Sequence, residues 1–184
     1  MPTVITGTDG VSQVQTGSIQ SDDLAAGVGG KVLQVVQGDT STYVLNSTTT
    51  FVDTGLSATI TPASTSSIVL VIVSQPCSVF GGDSVGFGYQ LNMGVQLLRG
   101  STVLQSPTSD SGGKYTINIG YGTAPTSGLV STAGVTSFNY IDSPATTSAT
   151  TYKTQFAKGT SGMDGAEVNY TNGRSTITLM EIAG

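Results

Sequence analysis

The sequence predicts an all-β fold: an antiparallel β-sandwich, jelly-roll-like, with an extended N-terminal arm. Three observations predict it. From Lys31 onward, apolar residues recur with a period of two, the mark of strands with one buried face. The apolar runs are short and are broken by Gly, Pro, Asn and Ser turns. No segment past Lys31 has the length or the spacing of an amphipathic helix. Roughly nine to eleven short strands of this kind bury their faces as two stacked sheets or as a closed barrel.

Lys31–Gln37 reads as the first strand, ended by Gly38-Asp39. Ser41–Asp53, rich in Thr and aromatics, reads as one long strand or two short ones. Leu56–Thr61 follows and turns at Pro62. Ile68–Gln75 opens with the strongest apolar run, Ile68–Val73, and is apolar on both faces, as expected of a central strand. After a turn at Gly81-Gly82-Asp83 come Val85–Leu91 and Gly94–Arg99, and Gly100-Ser101 connects tightly into Thr102–Gln105. Lys114–Tyr121 alternates most clearly, with Tyr115, Ile117, Ile119 and Tyr121 on one face. Thr136–Ile141 and Thr151–Ala157 are further strands. Glu167–Thr171 leads into Asn172-Gly173, a hairpin signal because both residues accept positive φ. Ser175–Ile182 is the last strand.

Composition narrows the chemistry. The chain has 184 residues, enough for one core, with 29 Thr, 23 Ser and 25 Gly but only 9% charged residues. Thr suits a β surface, because its branched carbon favours the strand while its hydroxyl meets water. Six basic residues against eleven acidic ones give a net charge of −5 and no basic stretch, which argues against nucleic acid, whose binding rests on phosphate neutralisation. There is no His, so imidazole catalysis, His-ligated zinc and Ser-His-Asp or Cys-His nucleophiles are excluded. Cys77 is the only cysteine, so no intrachain disulfide forms, and it reads as a small buried hydrophobe at a strand end. No apolar run approaches the roughly 20 residues of a membrane-spanning helix, and the first residues lack the pattern of a signal peptide. Neither membrane insertion nor export is expected.

The acidic residues are scattered beside Gly, Ser, Thr or Asn, which is turn chemistry. Asp164 and Glu167 lie close in sequence, yet no spacing marks an acid–base pair. There is no calcium-loop or phosphate-loop pattern. The expectation is a non-enzymatic protein without cofactor or metal, whose work is done by its surface. Tyr121 and Tyr140, at strand ends, are the candidate ligand-surface residues.

The chain divides at about residue 30. Residues 1–30 are small and polar, closing on Gly27-Val28-Gly29-Gly30, and cannot form a core alone. They read either as a disordered leader or as an extended attachment arm that orders against a partner through Val11, Val14, Ile19 and Leu24. Residues 31–184 form the sandwich domain.

Residues 30–184 also resemble a known group. Gly30–Val36, Thr50–Pro62, Ser64–Ser74, Gln96–Thr102, Tyr140–Pro144, Thr151–Lys153 and Ser175–Ile182 are, in that order, similar to the globular domains of fibre-like structural proteins of tailed bacteriophages, marine and cyanobacterial phages in particular. The resemblance implies a virion protein assembled in the host cytoplasm, homotrimeric, with an N-terminal attachment segment behind a β-rich domain. About 30 residues before that domain are too few for the shaft of a long tail fibre, which favours a short fibre, a knob or a capsid-surface decoration. Expected partners are further copies of the chain, other capsid or tail proteins, and a host surface glycan or protein. The rival expectation is a carbohydrate-binding module or the receptor-binding adhesin domain of a tail fibre.

Overall fold

The computed structural model describes residues 31–81, 90–107, 109–110, 113–114, 117–120 and 130–184. Thirteen strands fall among them. They are β1 (Val32–Thr40), β2 (Val44–Asn46), β3 (Val52–Ile60), β4 (Ile68–Gly81), β5 (Gln90–Arg99), β6 (Thr102–Gln105) and β7 (Ser109–Asp110). After these come β8 (Gly113–Lys114), β9 (Ile117–Gly120), β10 (Val130–Asp142), β11 (Thr150–Lys158), β12 (Gly165–Val168) and β13 (Ser175–Ile182). Two antiparallel sheets pack face to face as a β-sandwich. The first runs β1-β13-β4-β12-β2, with β10 also on β4; the second runs β3-β11-β5-β6, with β9 also on β5. The arm anchors Val11, Val14, Ile19 and Leu24, the Gly82-Asp83 turn, Tyr115 and Tyr121 lie outside the described residues.

β4 organises the first sheet. One of its edges is covered along its length by β10, from Val69↔Asp142 to Gly81↔Val130. The other edge is shared in succession: β13 pairs with Ile68–Ser74 and β12 with Cys77–Phe80. The handover falls at Gln75 and Pro76. A proline inside a central strand removes a ladder donor. Here the Pro76 carbonyl accepts from Asn169 N at 3.0 Å on the shared edge. A residue's N–H and C=O point to the same side of a strand, so the missing donor faces the gap between β12 and β13.

Alternation sorts β4 cleanly. Val69, Val71, Val73, Cys77 and Val79 face the second sheet and are buried, whereas Leu70 and Ile72 face outward. The expectation of a central strand holds, but Ile68–Val73 is not apolar because both faces are covered. Among the described residues, the strands buried on both faces are β5, from Leu91 to Leu98, and the short β12. Cys77 is buried as expected, though in the middle of a strand rather than at its end.

The core has two apolar clusters. One gathers Leu56, Ile60, Val69, Val71, Val73, Leu97, Tyr152, Ile177 and Leu179; the other gathers Cys77, Val79, Leu91, Met93, Val95, Phe156, Met163 and Val168. Between them lie fully buried Gln75, Thr54 and Thr154. Thr154 Oγ1 is 2.6 Å from Thr54 Oγ1 and 3.2 Å from Gln75 Oε1, so a polar contact joins β4 to the opposite sheet. A second inter-sheet tie stands at the end of β10. Asp142 accepts from Arg99 at 2.9 and 2.8 Å and from the Tyr152 hydroxyl at 2.6 Å.

Several boundaries shift for physical reasons. β1 runs through Gly38 to Thr40, because Gly38 lets the backbone pass where any side chain would strike the Ser57 carbonyl. Ser41–Asp53 resolves into β2 and the start of β3. Asn172-Gly173 does not make a hairpin. β12 and β13 each find a partner on β4 and run along it one after the other, so the two never pair with each other.

Replacing Val71 by Asp is expected to prevent folding, because an unpaired charge enters a fully buried position facing the other sheet. Circular dichroism with urea melting checks this. A soluble V71D protein that unfolds cooperatively would show that β4 does not organise the core.

Candidate functional site

Residues 169–175 occupy the space opposite Gln75 and Pro76 alone, so most of this segment is pushed out of the ladder. Three of its residues take left-handed backbone: Asn169 (φ 58°), Thr171 (φ 52°) and Asn172 (φ 62°). Asn tolerates this region. A β-branched Thr does so at a cost of roughly 1–2 kcal/mol. The surroundings hold the loop in place. Asn169 is buried, its Nδ2 donates to the Thr42 carbonyl at 2.7 Å, and its Oδ1 accepts from Ser175 Oγ. Gly173 packs on the Pro76 ring, where a Cβ would lie 2.8 Å from Pro76 Cβ. The result is a short 3-10 turn, Tyr170–Asn172, that presents Tyr170 outward.

Asn169 thereby fixes two segments at once, since Thr42 immediately precedes Tyr43 at the entry to β2. Tyr43 and Tyr170 are 52% and 44% exposed, and both stand by Glu167 on β12. Glu167 faces outward across β4 from Ser78 and across β2 from Leu45, yet it is only 5% exposed. Its Oε2 accepts the Tyr43 hydroxyl at 2.7 Å. Among the described residues no Lys or Arg pairs with it. Phe80, Ser131, Glu167 and Tyr170 line a cavity of about 160 Å³. Gly165 sits beneath, with the Phe80 and Leu45 side chains so close above it that a Cβ would lie 2.7 Å from the Phe80 ring.

The titration of Tyr43 reflects this arrangement. Donating to Glu167, with burial and the neighbouring negative charge adding to the effect, pushes its phenol up to about 12. At neutral pH the phenol therefore stays a donor. An ionised carboxylate with one phenol partner keeps further acceptor capacity for donors arriving from solvent. The flanking rings supply apolar faces. The pocket can bind and orient a molecule rich in hydroxyl or amide hydrogens.

Three acidic and sulfur groups elsewhere are engaged in the fold. Asp53 pairs with Lys153 at 2.9 Å beside a smaller depression of about 90 Å³. Glu181 is fully buried; burial raises its carboxyl, but hydrogen bonds outweigh this and hold it below its ordinary value. They include Gln34 Nε2 at 2.6 Å and Ala63 N at 2.7 Å. Burial pushes the Cys77 thiol up to about 11, which keeps it protonated. Among the described residues no cluster of acidic or sulfur side chains has the makings of a metal site.

Of the two tyrosines expected at a ligand surface, Tyr121 lies outside the described residues. Tyr140 is half-buried and packs against the core cluster around Val71 and Leu179. Sequence reasoning missed Tyr43, Glu167 and Tyr170. The available signal was Asn169-Tyr170-Thr171-Asn172-Gly173, where an aromatic is set among residues that tolerate left-handed backbone.

The same outer face carries a second feature. Val35 on β1, Met180 on β13, Leu70 on β4 and Ile141 on β10 stand in register across four strands. Val35 is 56% exposed and Ile141 63% exposed, with Ile72 partly uncovered in the next row. The same face carries Thr176, Thr178, Ser74, Ser137 and Asn139 between this row and further apolar residues such as Ile72 and Val135. Compared with known proteins, no family model matches the chain and no curated sequence matches it.

The Tyr43–Glu167 bond has a pH signature. A phenol raised from its ordinary value of 10.0 to about 12 stabilises the fold fully below pH 10.0, and that contribution is lost as pH rises toward 12. Phenolate absorbance during an alkaline titration should show Tyr43 ionising late, and Glu167→Gln should return it toward its ordinary value. An unchanged titration in E167Q would show that the bond does not form in solution.

Proposed function

We propose that the chain is a non-enzymatic structural protein of a tailed-bacteriophage particle: a short fibre, a knob or a capsid-surface decoration. In this reading residues 1–30 attach it to a capsid or tail protein, and residues 31–184 face outward as a homotrimer. The ordered resemblance of residues 30–184 to fibre-like virion domains supports the particle. The single structural observation that carries the assembly is the apolar row Val35–Met180–Leu70–Ile141 on the outer face of the first sheet. Exposed apolar surface of this kind favours association, which adds burial that a chain with 37% hydrophobic residues gains only modestly by folding alone.

A second reading, a carbohydrate-binding module or receptor-binding adhesin domain, draws support from the pocket lined by Glu167 and Tyr170, with Tyr43 bonded to Glu167. The two readings meet if a virion protein touches its host through that pocket. Immunogold labelling of purified particles with an antibody to the chain separates them. Label on the particle surface supports the virion reading, and particles free of label refute it.

For the assembly, sedimentation equilibrium at micromolar concentration should give a multiple of 18.6 kDa. Ile141→Asp combined with Val35→Asp should shift the mass toward that of one chain while circular dichroism stays unchanged, because both side chains are exposed. A wild-type mass of 18.6 kDa would contradict the assembly.

A further inference from the structure

We propose that the pocket lined by Phe80, Ser131, Glu167 and Tyr170, with Tyr43 held against Glu167, is a saccharide site that takes one pyranose ring of a neutral glycan. It does not depend on the virion reading, because the pocket belongs to a single chain.

The first observation is Glu167. It is 5% exposed, and its one hydrogen bond among the described residues comes from the Tyr43 hydroxyl at 2.7 Å. A carboxylate with one phenol partner and no cation beside it keeps lone pairs for donors that reach it through the cavity. The cavity wall is where such donors would arrive. Vicinal sugar hydroxyls supply donors in pairs at the spacing of two carboxylate oxygens.

The second is the pair of exposed tyrosines. Tyr170 lines the cavity beside the carboxylate, Tyr43 holds the carboxylate by its hydroxyl, and the exposed parts of both rings offer apolar surface to the C–H side of a sugar. The third is the loop that carries Tyr170. Its left-handed residues are clamped by Asn169 to Thr42, Ser175 and Pro76, so the aromatic is presented before any ligand arrives. Preorganisation of this kind lowers the entropic cost of binding.

The shape and charge select among ligands. About 160 Å³ is small beside the roughly 300–1,000 Å³ of enclosed small-molecule pockets, and suits one ring lying on an open surface. Glu167 disfavours phosphates, nucleic acid and acidic sugars, since no basic side chain lines the cavity. A quaternary ammonium would suit the carboxylate and the rings but would leave the Ser131 hydroxyl unused. A polyol uses it, and its own hydroxyls donate to the Glu167 lone pairs that Tyr43 leaves free.

The test is an NMR titration of the full-length chain with methyl glycosides of glucose, galactose, mannose and N-acetylglucosamine, and with tetramethylammonium. At least one glycoside should shift the ring signals of Tyr43 and Tyr170 and the amide of Glu167, saturating in the millimolar range or tighter. Tyr170→Ala should weaken that glycoside by about tenfold or more. Its side chain is exposed, so the variant keeps the fold, and an unchanged amide spectrum elsewhere verifies this. Val103→Ala, on an exposed position of the other sheet, should bind as the wild type does. The proposal is overturned if no glycoside shifts these signals at about 100 mM, far above a millimolar affinity. It is equally overturned if Tyr170→Ala binds unchanged, or if tetramethylammonium alone moves them.

Discussion

The ladder built on β4 is the constraint from which the other features follow. A 14-residue strand is long for a sandwich, and both of its edges must find partners. β10 answers one edge with a single long strand. The other edge is answered by two strands in line, and the break between them falls where Pro76 has no N–H to offer. The proline therefore marks the one place on that edge where the ladder can open without orphaning a donor of β4. Out of that opening comes the 169–174 loop, and with it Tyr170.

The interior repeats the same division. Gln75, next to Pro76, places a polar side chain between the two apolar clusters, and it meets Thr154 across the sandwich. A buried hydrogen bond adds only about 1 kcal/mol net, and Gln75 Nε2 stays buried without a partner among the described residues. The layer therefore acts more on register than on stability. A two-residue slip of β4 keeps Gln75 facing the second sheet but would set it among the Val and Leu side chains of one apolar cluster. Asp142 with Arg99 and Tyr152 fixes the far end of the sandwich in the same way.

Much of the fold was legible because strand alternation is a local property. Val69, Val71 and Val73 alternate with Leu70 and Ile72 whatever the topology, so a central strand there could be read directly. Pairing is not local. Asn172-Gly173 carries a genuine turn signal, and Asn172 does take positive φ, yet the edge of β4 outcompetes the hairpin. Which apolar face is covered is not local either, so alternation alone does not tell the exposed Ile72 from the buried Val71 and Val73. The pocket was hidden by distance along the chain. Tyr43 and Glu167 are 124 residues apart, and each looks like an ordinary member of a strand. Tyr140 drew attention as a strand-end aromatic, but Phe138 and Tyr140 both lean on the core.

The central claim is that the loop between β12 and β13 is clamped to β4 rather than free. Native-state hydrogen exchange of the Asn169 amide tests it most directly, because that N–H donates to the Pro76 carbonyl at the break in the ladder. The account predicts protection comparable to that of the flanking β13 amides. Exchange at the rate of an exposed loop amide would contradict it.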